Sequence, residues 1–213
     1  SDIKMGRATS SDSLKEVTID KGKDTTHFSI LDKEGNRVAA TLSINYPFGS
    51  SFVVPGTGVL LNNEMDDFSA SPLAPNAYGL VGNHANSIQP GKRPLSSMTP
   101  TFLESNNRIG IVGTPGGSRI ISMVLISSLE FVDGKLPAEW VKKERFHHQY
   151  MPDILQFEKD AFSPSLQQDL ERRGHKLKEI DRKYGNMHAI LWDKSRGKVY
   201  AASDPRGEGL ADL

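Results

Sequence analysis

Apolar and polar residues alternate with a period of two in several short stretches of this chain, and such alternation is typical of β-strands. Three β-hairpins are predicted in this way, at 25–31 with 38–44, at 101–104 with 108–112, and at 188–192 with 199–202. The first has a polar, glycine-containing turn between its strands, which strengthens the prediction. Pairs of strands are therefore a main element of the predicted fold.

Helical spacing of apolar residues appears after the second hairpin. Residues 120–131 have the periodicity of a buried helix, and residues 137–142 predict a shorter one. A third helix is predicted at 163–173, because Ser163 is a suitable N-cap, Pro164 suits the first helical position and a glycine follows the end. Strand pairs followed by helices and further strand pairs favour an α+β layered domain built on antiparallel sheets.

Two stretches lack this periodicity. Residues 1–24 are rich in Ser, Thr, Lys and Asp, so we expect an extended or loosely held tail. Residues 46–100 are rich in Gly, Pro and Asn, with a short strand candidate at 59–61, and they predict a long loop system. Loops of that length in a compact domain are usually functional.

Composition excludes several classes of site and partner. Among 213 residues, 26 are Lys or Arg and 26 are Asp or Glu, so no strong attraction to nucleic acid or membrane surfaces is expected. The absence of cysteine excludes disulfides, a thiolate nucleophile and Cys-ligated metal. No apolar run approaches the roughly 18 residues that cross a bilayer. The chain begins at Ser1 with neither Met nor a signal peptide, so we expect the gene product to begin upstream.

Thr25 is the candidate nucleophile, because it stands where the polar tail changes abruptly into a strand. If the bond between Asp24 and Thr25 is cut, Thr25 carries both a hydroxyl and a free α-amine able to take its proton. The alternative is an ordinary Thr-Thr pair that begins a strand.

Two further clusters have a chemical and a plain structural interpretation. Gly116 and Gly117 lie between a strand and a helix, where bare N–H groups can stabilise an oxyanion or where glycine simply permits a tight turn. Their spacing fits neither a P-loop nor a dinucleotide fingerprint. Glu64, Asp66 and Asp67 can bind an ammonium group or a cation, or can form a solvated acidic turn, but they lack the pattern of a calcium loop.

Hydroxyl and imidazole groups complete the candidates. Ser96 and Ser97 can bind a carboxylate or cap a turn. His147 and His148 do not favour a metal site, because neighbours on a strand point to opposite faces and an i, i+4 partner is missing. No Gly-x-Ser-x-Gly elbow is present, which disfavours serine-hydrolase chemistry.

Four motifs in this order resemble the C-terminal, catalytic small subunit of the γ-glutamyltransferase (γ-glutamyltranspeptidase) family of N-terminal-nucleophile hydrolases. They are TTH at 25–27, GVLLNN at 58–63 with MDDF at 65–68, RPLSSM at 93–98, and TPGGSR at 114–119. The resemblance extends from Thr25 to Arg206 and implies a four-layer α/β/β/α sandwich that is incomplete without a large subunit. Residues 25–213 then form the small catalytic subunit, and residues 1–24 are the end of the large one.

The resemblance implies γ-glutamyl acyl transfer. Thr25 would first cleave the precursor at the Asp24 carbonyl, and would then attack the γ-amide of glutathione or another γ-glutamyl compound. The resulting ester would pass to water or to the amine of an amino acid or dipeptide. Gly116 and Gly117 match the oxyanion hole of the family, and no metal or organic cofactor is required.

Further residues match positions with known roles in the family. Ser43 corresponds to a hydroxyl that meets the nucleophile and orients it. The α-ammonium and α-carboxylate of the substrate would be held by side chains of one pocket: Asn45, Glu64 and Asp67 for the ammonium, Ser96 and Ser97 for the carboxylate. A family arginine that also binds the carboxylate belongs to the large subunit.

Residues 72–83 match a lid loop of bacterial relatives, with Tyr78 placed to close the pocket through a hydrogen bond to Asn45. Tyr78 can instead be a rim aromatic on a mobile loop. The resemblance also implies the large subunit as partner and a periplasmic or secreted location, with no nucleic acid bound and no membrane span in this chain. The alternatives are a related amidohydrolase of the cephalosporin acylase type and a catalytically silent binding subunit.

Overall fold

The computed structural model describes residues 25–69, 82–149 and 152–212, which form nine strands and three α-helices. In chain order these are β1 (Thr25–Leu31), β2 (Arg37–Ser43), β3 (Thr101–Glu104), β4 (Arg108–Gly113), α1 (Arg119–Val132), α2 (Pro137–Lys142), β5 (Phe146–His147), β6 (Leu155–Glu158), α3 (Pro164–Arg172), β7 (Leu177–Ile180), β8 (His188–Asp193) and β9 (Lys198–Ser203). The three predicted hairpins and three predicted helices are confirmed, with ends that differ by one residue at most. The predicted tail at 1–24 lies outside the described residues.

A four-stranded antiparallel sheet in the order β3-β4-β8-β9 is the central layer. Two glycines of β4 show which elements pack on each face of this sheet. A Cβ added to Gly110 would meet Phe131 of α1 and Trp140 of α2, whereas a Cβ added to Gly113 would meet the ring of His27 in β1. Because strand residues an odd number of positions apart point to opposite faces, α1 and α2 cover one face and the β1-β2 hairpin covers the other.

The main core lies between the two helices and the sheet. Its fully buried members come from α1, α2, β4 and β8, and include Met123, Trp140, Val112 and Leu191. Phe131 contacts Trp140 edge to face, with ring centroids 5.7 Å apart. Each such large apolar side chain stabilises the fold by about 1.5–3 kcal/mol relative to leaving it exposed.

Two outer surfaces stay apolar and exposed. The hairpin face is the side of β1-β2 away from the sheet, and it consists of Phe28, Ile30, Val38 and Leu42. The helix stripe runs along the outer side of α1, and it consists of Ile121, Leu125, Leu129 and Val132. Clustered apolar exposure of this kind marks surfaces that bind another chain. No helix in the described ranges is long and apolar enough to cross a membrane.

A small third sheet, in the order β5-β6-β7, is mixed, in contrast to the antiparallel sheets on which the domain was predicted to be built. Strands β6 and β7 run parallel, and α3 between them supplies the crossover that parallel neighbours require. The apolar pattern did not predict these strands, because β6 and β7 have four residues each and the centre of β7 is the charged pair Lys178-Glu179.

Four buried charges, which we call the ion cluster, connect this small sheet to the segment after β9. Arg145 pairs with Asp204, and Arg206 pairs with both Asp204 (3.3 Å) and Glu158 (2.7 Å). The four side chains are at most 4% exposed. The guanidinium of Arg206 also donates to the carbonyl groups at the end of α2, which the helix itself leaves without partners.

Candidate active site

A pocket opens where β1 begins and β2 ends. The antiparallel register places Thr25 directly opposite Ser43, and loops from the 46–100 segment and the start of α1 close around the pair. The pocket is lined by Thr25, Ser43, Asn45, Glu64, Asp67, Ser96, Ser97, Met98, Gly117, Ser118 and Ile120. It therefore brings together every described residue of the predicted site except Gly116, which immediately precedes a lining residue. Tyr78 lies outside the described residues.

Two hydroxyl groups meet at the base of this pocket. Thr25 Oγ1 and Ser43 Oγ lie 2.8 Å apart, and Ser43 Oγ accepts a hydrogen bond from the backbone N–H of Asn45 at 2.8 Å. Asn45 reaches this position with a φ of 72°, a left-handed conformation that asparagine tolerates better than most residues. Ser43 Oγ keeps its own proton while it accepts from Asn45, so either hydroxyl of the pair can donate to the other.

His27 lies on the same side of the hairpin as Thr25, outside the pocket lining, and sequence reasoning gave it no role of its own. Its ring nitrogens lie 2.8 Å from Thr41 Oγ1 and 3.1 Å from Ser29 Oγ. Burial, reinforced by His188, lowers the pKa of His27 to about 4, so the ring is neutral. The period-two alternation from Thr25 was the available signal, since it places residues 25, 27 and 29 on one face.

The glycine loop enters the pocket from the end of β4. Gly116 and Gly117 have φ values of 148° and 58°, which residues other than glycine rarely adopt. A Cβ added to Gly116 would also lie only 2.6 Å from the side chain of Met123. Their carbonyl groups accept the first N–H groups of α1. Within the described ranges, no backbone carbonyl accepts a hydrogen bond from the N–H groups of the two glycines themselves. Free N–H groups beside a nucleophile are the donors that an oxyanion requires.

The predicted acidic cluster is split by its 3-10 turn, Glu64–Asp67. Glu64 and Asp67 line the pocket, and we call them the acid wall. Asp66 turns away and accepts a hydrogen bond from Tyr46. Burial, followed by the charge of Glu64, raises the pKa of Asp67 to about 6. The acid wall is thus a pair of carboxylates whose mutual repulsion a bound cation would relieve.

Ser96 and Ser97 also line the pocket, and we call them the serine wall. Ser96 Oγ also accepts from the N–H of Met98 at 3.1 Å, and the carbonyl of Ser97 accepts from Thr99 at 2.9 Å. The turn-capping interpretation therefore describes Ser96 correctly, and the same residue still faces the pocket.

Imidazole groups elsewhere are held by hydrogen bonds. His147 lies 2.7 Å from Ser122 Oγ and 2.9 Å from Gln149 Oε1, and His148 pairs with Asp153. In the part of the chain that the structure describes, no three His, Asp or Glu residues are arranged to hold a metal ion.

The chain is similar to known proteins of one family. A family model described as gamma-glutamyltranspeptidase matches residues 2–212. The glutathione hydrolase proenzyme of Escherichia coli is 46% identical over 188 residues, which is 87% of this chain and 32% of that protein. The γ-glutamyltranspeptidase from Pseudomonas nitroreducens complexed with L-DON has a TM-score of 0.78 at 41% identity, covering 88% of this chain and 98% of that one.

A cephalosporin acylase from Bacillus halodurans also has this fold, with a TM-score of 0.71 at 28% identity over 84% of this chain and 32% of that one. These likenesses confirm the predicted N-terminal-nucleophile hydrolase fold. The chain spans about a third of the length of the curated relatives it matches. Because the family model covers almost every residue, the chain belongs to the γ-glutamyltranspeptidase family.

Proposed function

We propose that this chain is the nucleophile-bearing part of a γ-glutamyl acyl-transfer enzyme that cleaves glutathione and related γ-glutamyl compounds. One observation carries the proposal. The paired hydroxyls of Thr25 and Ser43 share a pocket with Gly117, with two carboxylates and with two serines. This combination provides a nucleophile, a donor for an oxyanion and separate groups for an ammonium and a carboxylate.

The chemistry begins with cleavage of the bond between Asp24 and Thr25. Thr25 Oγ1 attacks the Asp24 carbonyl, and water opens the ester that results. Thr25 then carries a free α-amine three bonds from its own hydroxyl oxygen, where it can act as the general base. Ser43, 2.8 Å from Thr25 Oγ1, orients the hydroxyl for both reactions.

In turnover, Thr25 Oγ1 forms a bond to the γ-carbonyl carbon while its proton passes to the α-amine. The C–N bond of the substrate then breaks, and the leaving amine takes that proton. Water or an amino acid or dipeptide amine attacks the γ-glutamyl ester and regenerates the hydroxyl. The N–H groups of Gly116 and Gly117 stabilise the oxyanion in each step, at about 3 kcal/mol per donor in comparable sites.

Substrate recognition follows from charge. The acid wall and Asn45 bind the α-ammonium group, and the serine wall donates hydrogen bonds to the α-carboxylate. Two carboxylates that lack a basic partner in the protein can bind a cationic group of a ligand, and two hydroxyl donors can bind an anionic one.

The partner is the large subunit made from the same precursor, with residues 1–24 as its C-terminal end and 25–213 as the small subunit. The exposed hairpin face supports this assignment, because the family's sandwich has a helical layer where the described residues leave Phe28 and Ile30 exposed. We also propose a periplasmic or secreted location, which the resemblance to bacterial members of the family implies.

A cephalosporin acylase-type amidohydrolase is the second candidate, favoured by the shared fold. The acid wall argues against it, because a glutaryl-type substrate has no α-ammonium group for Asp67 to bind. A catalytically silent binding subunit is the remaining alternative, and it requires that Thr25 never gains a free amine.

A single comparison of substrates separates these candidates. We expect the full-length precursor to be cut before Thr25 and to release amine from a γ-glutamyl anilide at least 100-fold faster than from a glutaryl anilide. Thr25→Ala should abolish both the cut, measured by intact mass, and the release of amine. A cut at the same bond in Thr25→Ala would contradict the mechanism, and a preference for the glutaryl anilide would favour the acylase.

A further inference from the structure

We infer that Asn86, which lies outside the pocket lining, is a positioning residue that holds the acid wall and the serine wall at one separation. The inference rests on the proposed function, because the separation matters only if the two walls bind two charged groups of one α-amino acid. Asn86 is the last residue of the 3-10 turn His84–Asn86. It is partly buried.

The side-chain amide of Asn86 uses both of its ends. Its Nδ2 donates to the backbone carbonyl of Asp67 at 2.7 Å, and its Oδ1 accepts from the N–H of Leu95 at 3.0 Å. The backbone carbonyl of Asn86 also accepts from the N–H of Ser69 at 2.9 Å. The planar amide of Asn86 is therefore hydrogen-bonded to Asp67 of the acid wall and to Leu95, the residue directly before Ser96.

Regular secondary structure does not hold the two walls in place. Between β2 and β3, the described residues contain only two 3-10 turns and an isolated bridge between Val53 and Leu60. No strand ladder or α-helix joins residue 67 to residues 96 and 97 in those ranges. The amide of Asn86 is rigid and bonds to both segments, so it restricts their separation more than two independent contacts would.

The turn that carries Asn86 does not depend on this side chain. It is closed by backbone hydrogen bonds from Asn86 to Asn83 and from Ser87 to His84, and Ser87 Oγ donates to the His84 carbonyl at 2.8 Å. Removing the side-chain amide should therefore leave the turn formed and remove only the connection between the acid wall and the serine wall. Because the α-ammonium and α-carboxylate share one carbon atom, a shift of about 1 Å between the walls weakens binding of both.

The test uses the processed, full-length enzyme and two variants at adjacent positions. Asn86→Leu removes both side-chain hydrogen bonds and keeps the number and branching of the side-chain heavy atoms, and Ser87→Ala removes a hydrogen bond within the same turn. For Asn86→Leu we expect KM for the γ-glutamyl anilide to rise about tenfold while kcat stays within about twofold, the signature of lost uniform binding. Its preference for the γ-glutamyl over the glutaryl anilide should fall about tenfold, and Ser87→Ala should match the wild type.

Several outcomes would overturn the inference. An unchanged KM in Asn86→Leu would do so, as would an equal KM rise in Ser87→Ala or an equal loss of kcat on both anilides, which indicates general damage. If Asn86→Leu does not process itself, Asn86→Gln keeps both polar groups one bond further out and should raise KM by a smaller factor. A wild type with no preference for the γ-glutamyl anilide would overturn the proposed function and this inference together, whereas a preference that survives in Asn86→Leu would overturn the inference alone.

Discussion

Two pairs of carboxylates in this molecule have opposite environments. In the ion cluster, Asp204 and Glu158 are fully buried, and each is matched by the guanidinium of an arginine. In the acid wall, no Lys, Arg or His of the described ranges forms an ion pair with Glu64 or Asp67. The pKa of Asp67 rises to about 6 as a result of its burial and of the neighbouring charge.

The difference separates groups that stabilise the fold from groups that serve the site. A buried carboxylate with an arginine partner is satisfied within the protein, and its loss leaves a cation stranded. A partly buried carboxylate pair without a cation destabilises the folded chain and becomes favourable only when a ligand brings positive charge. Perturbed groups of this kind cluster at functional sites.

Breaking the ion cluster should have the largest effect on stability. Asp204→Asn leaves Arg145 and Arg206 without their shared carboxylate, and we expect the free energy of unfolding to fall by about 3–5 kcal/mol. Denaturant titration of the processed protein measures this change. Asp169→Asn is the matched control, because Asp169 forms only exposed pairs with Arg172 and Arg173 and should cost less than about 1 kcal/mol. Equal losses in both variants would contradict a special role for the buried pairs.

An Asp-to-Asn substitution in the acid wall should have the opposite effect, with a large loss of activity and little change in stability. For Asp67→Asn we expect kcat/KM for the γ-glutamyl anilide to fall about 100-fold, because one of the two charges facing the α-ammonium is lost. Turnover of the glutaryl anilide should be nearly unchanged. Stability at pH 7.5 should hold or increase slightly, since the folded state favours protonated Asp67 and the amide removes the cost of ionising it. A large loss of stability would show that Asp67 is a structural residue.

Sequence patterns predicted some of these features for a physical reason. The hairpin β1-β2 and helix α1 repeat with periods of 2 and 3.6, and a local period reports which face is buried. The ion cluster has no such period. Arg145 and Asp204 are 59 positions apart, and nothing near either residue indicates that a buried counter-charge will arrive from the other.

The candidate site shows a similar limit. Thr25 and the glycine loop lie at strand ends, where an abrupt change of pattern marks them. The acid and serine walls lie in a segment without periodicity, so their assignment depended on motif resemblance. Asn86 matched no predicted role, because its position between Asp67 and Leu95 follows from the path of a loop and not from local spacing.

The smallest effect should come from substituting Glu64, which changes one charge of the acid wall and leaves Asp67 in place. In the wild type, KM for the γ-glutamyl anilide should rise as pH falls through about 6, because protonated Asp67 no longer attracts the α-ammonium. Glu64→Gln removes the neighbouring charge that raises this pKa, so the rise in KM should shift to lower pH. At pH 8 the variant should lose only about three- to tenfold in kcat/KM, since ionised Asp67 remains. The dependence of kcat on the Thr25 amine, whose ordinary pKa is about 8, should not move. A KM profile identical to that of the wild type would mean that the two carboxylates do not act as a pair.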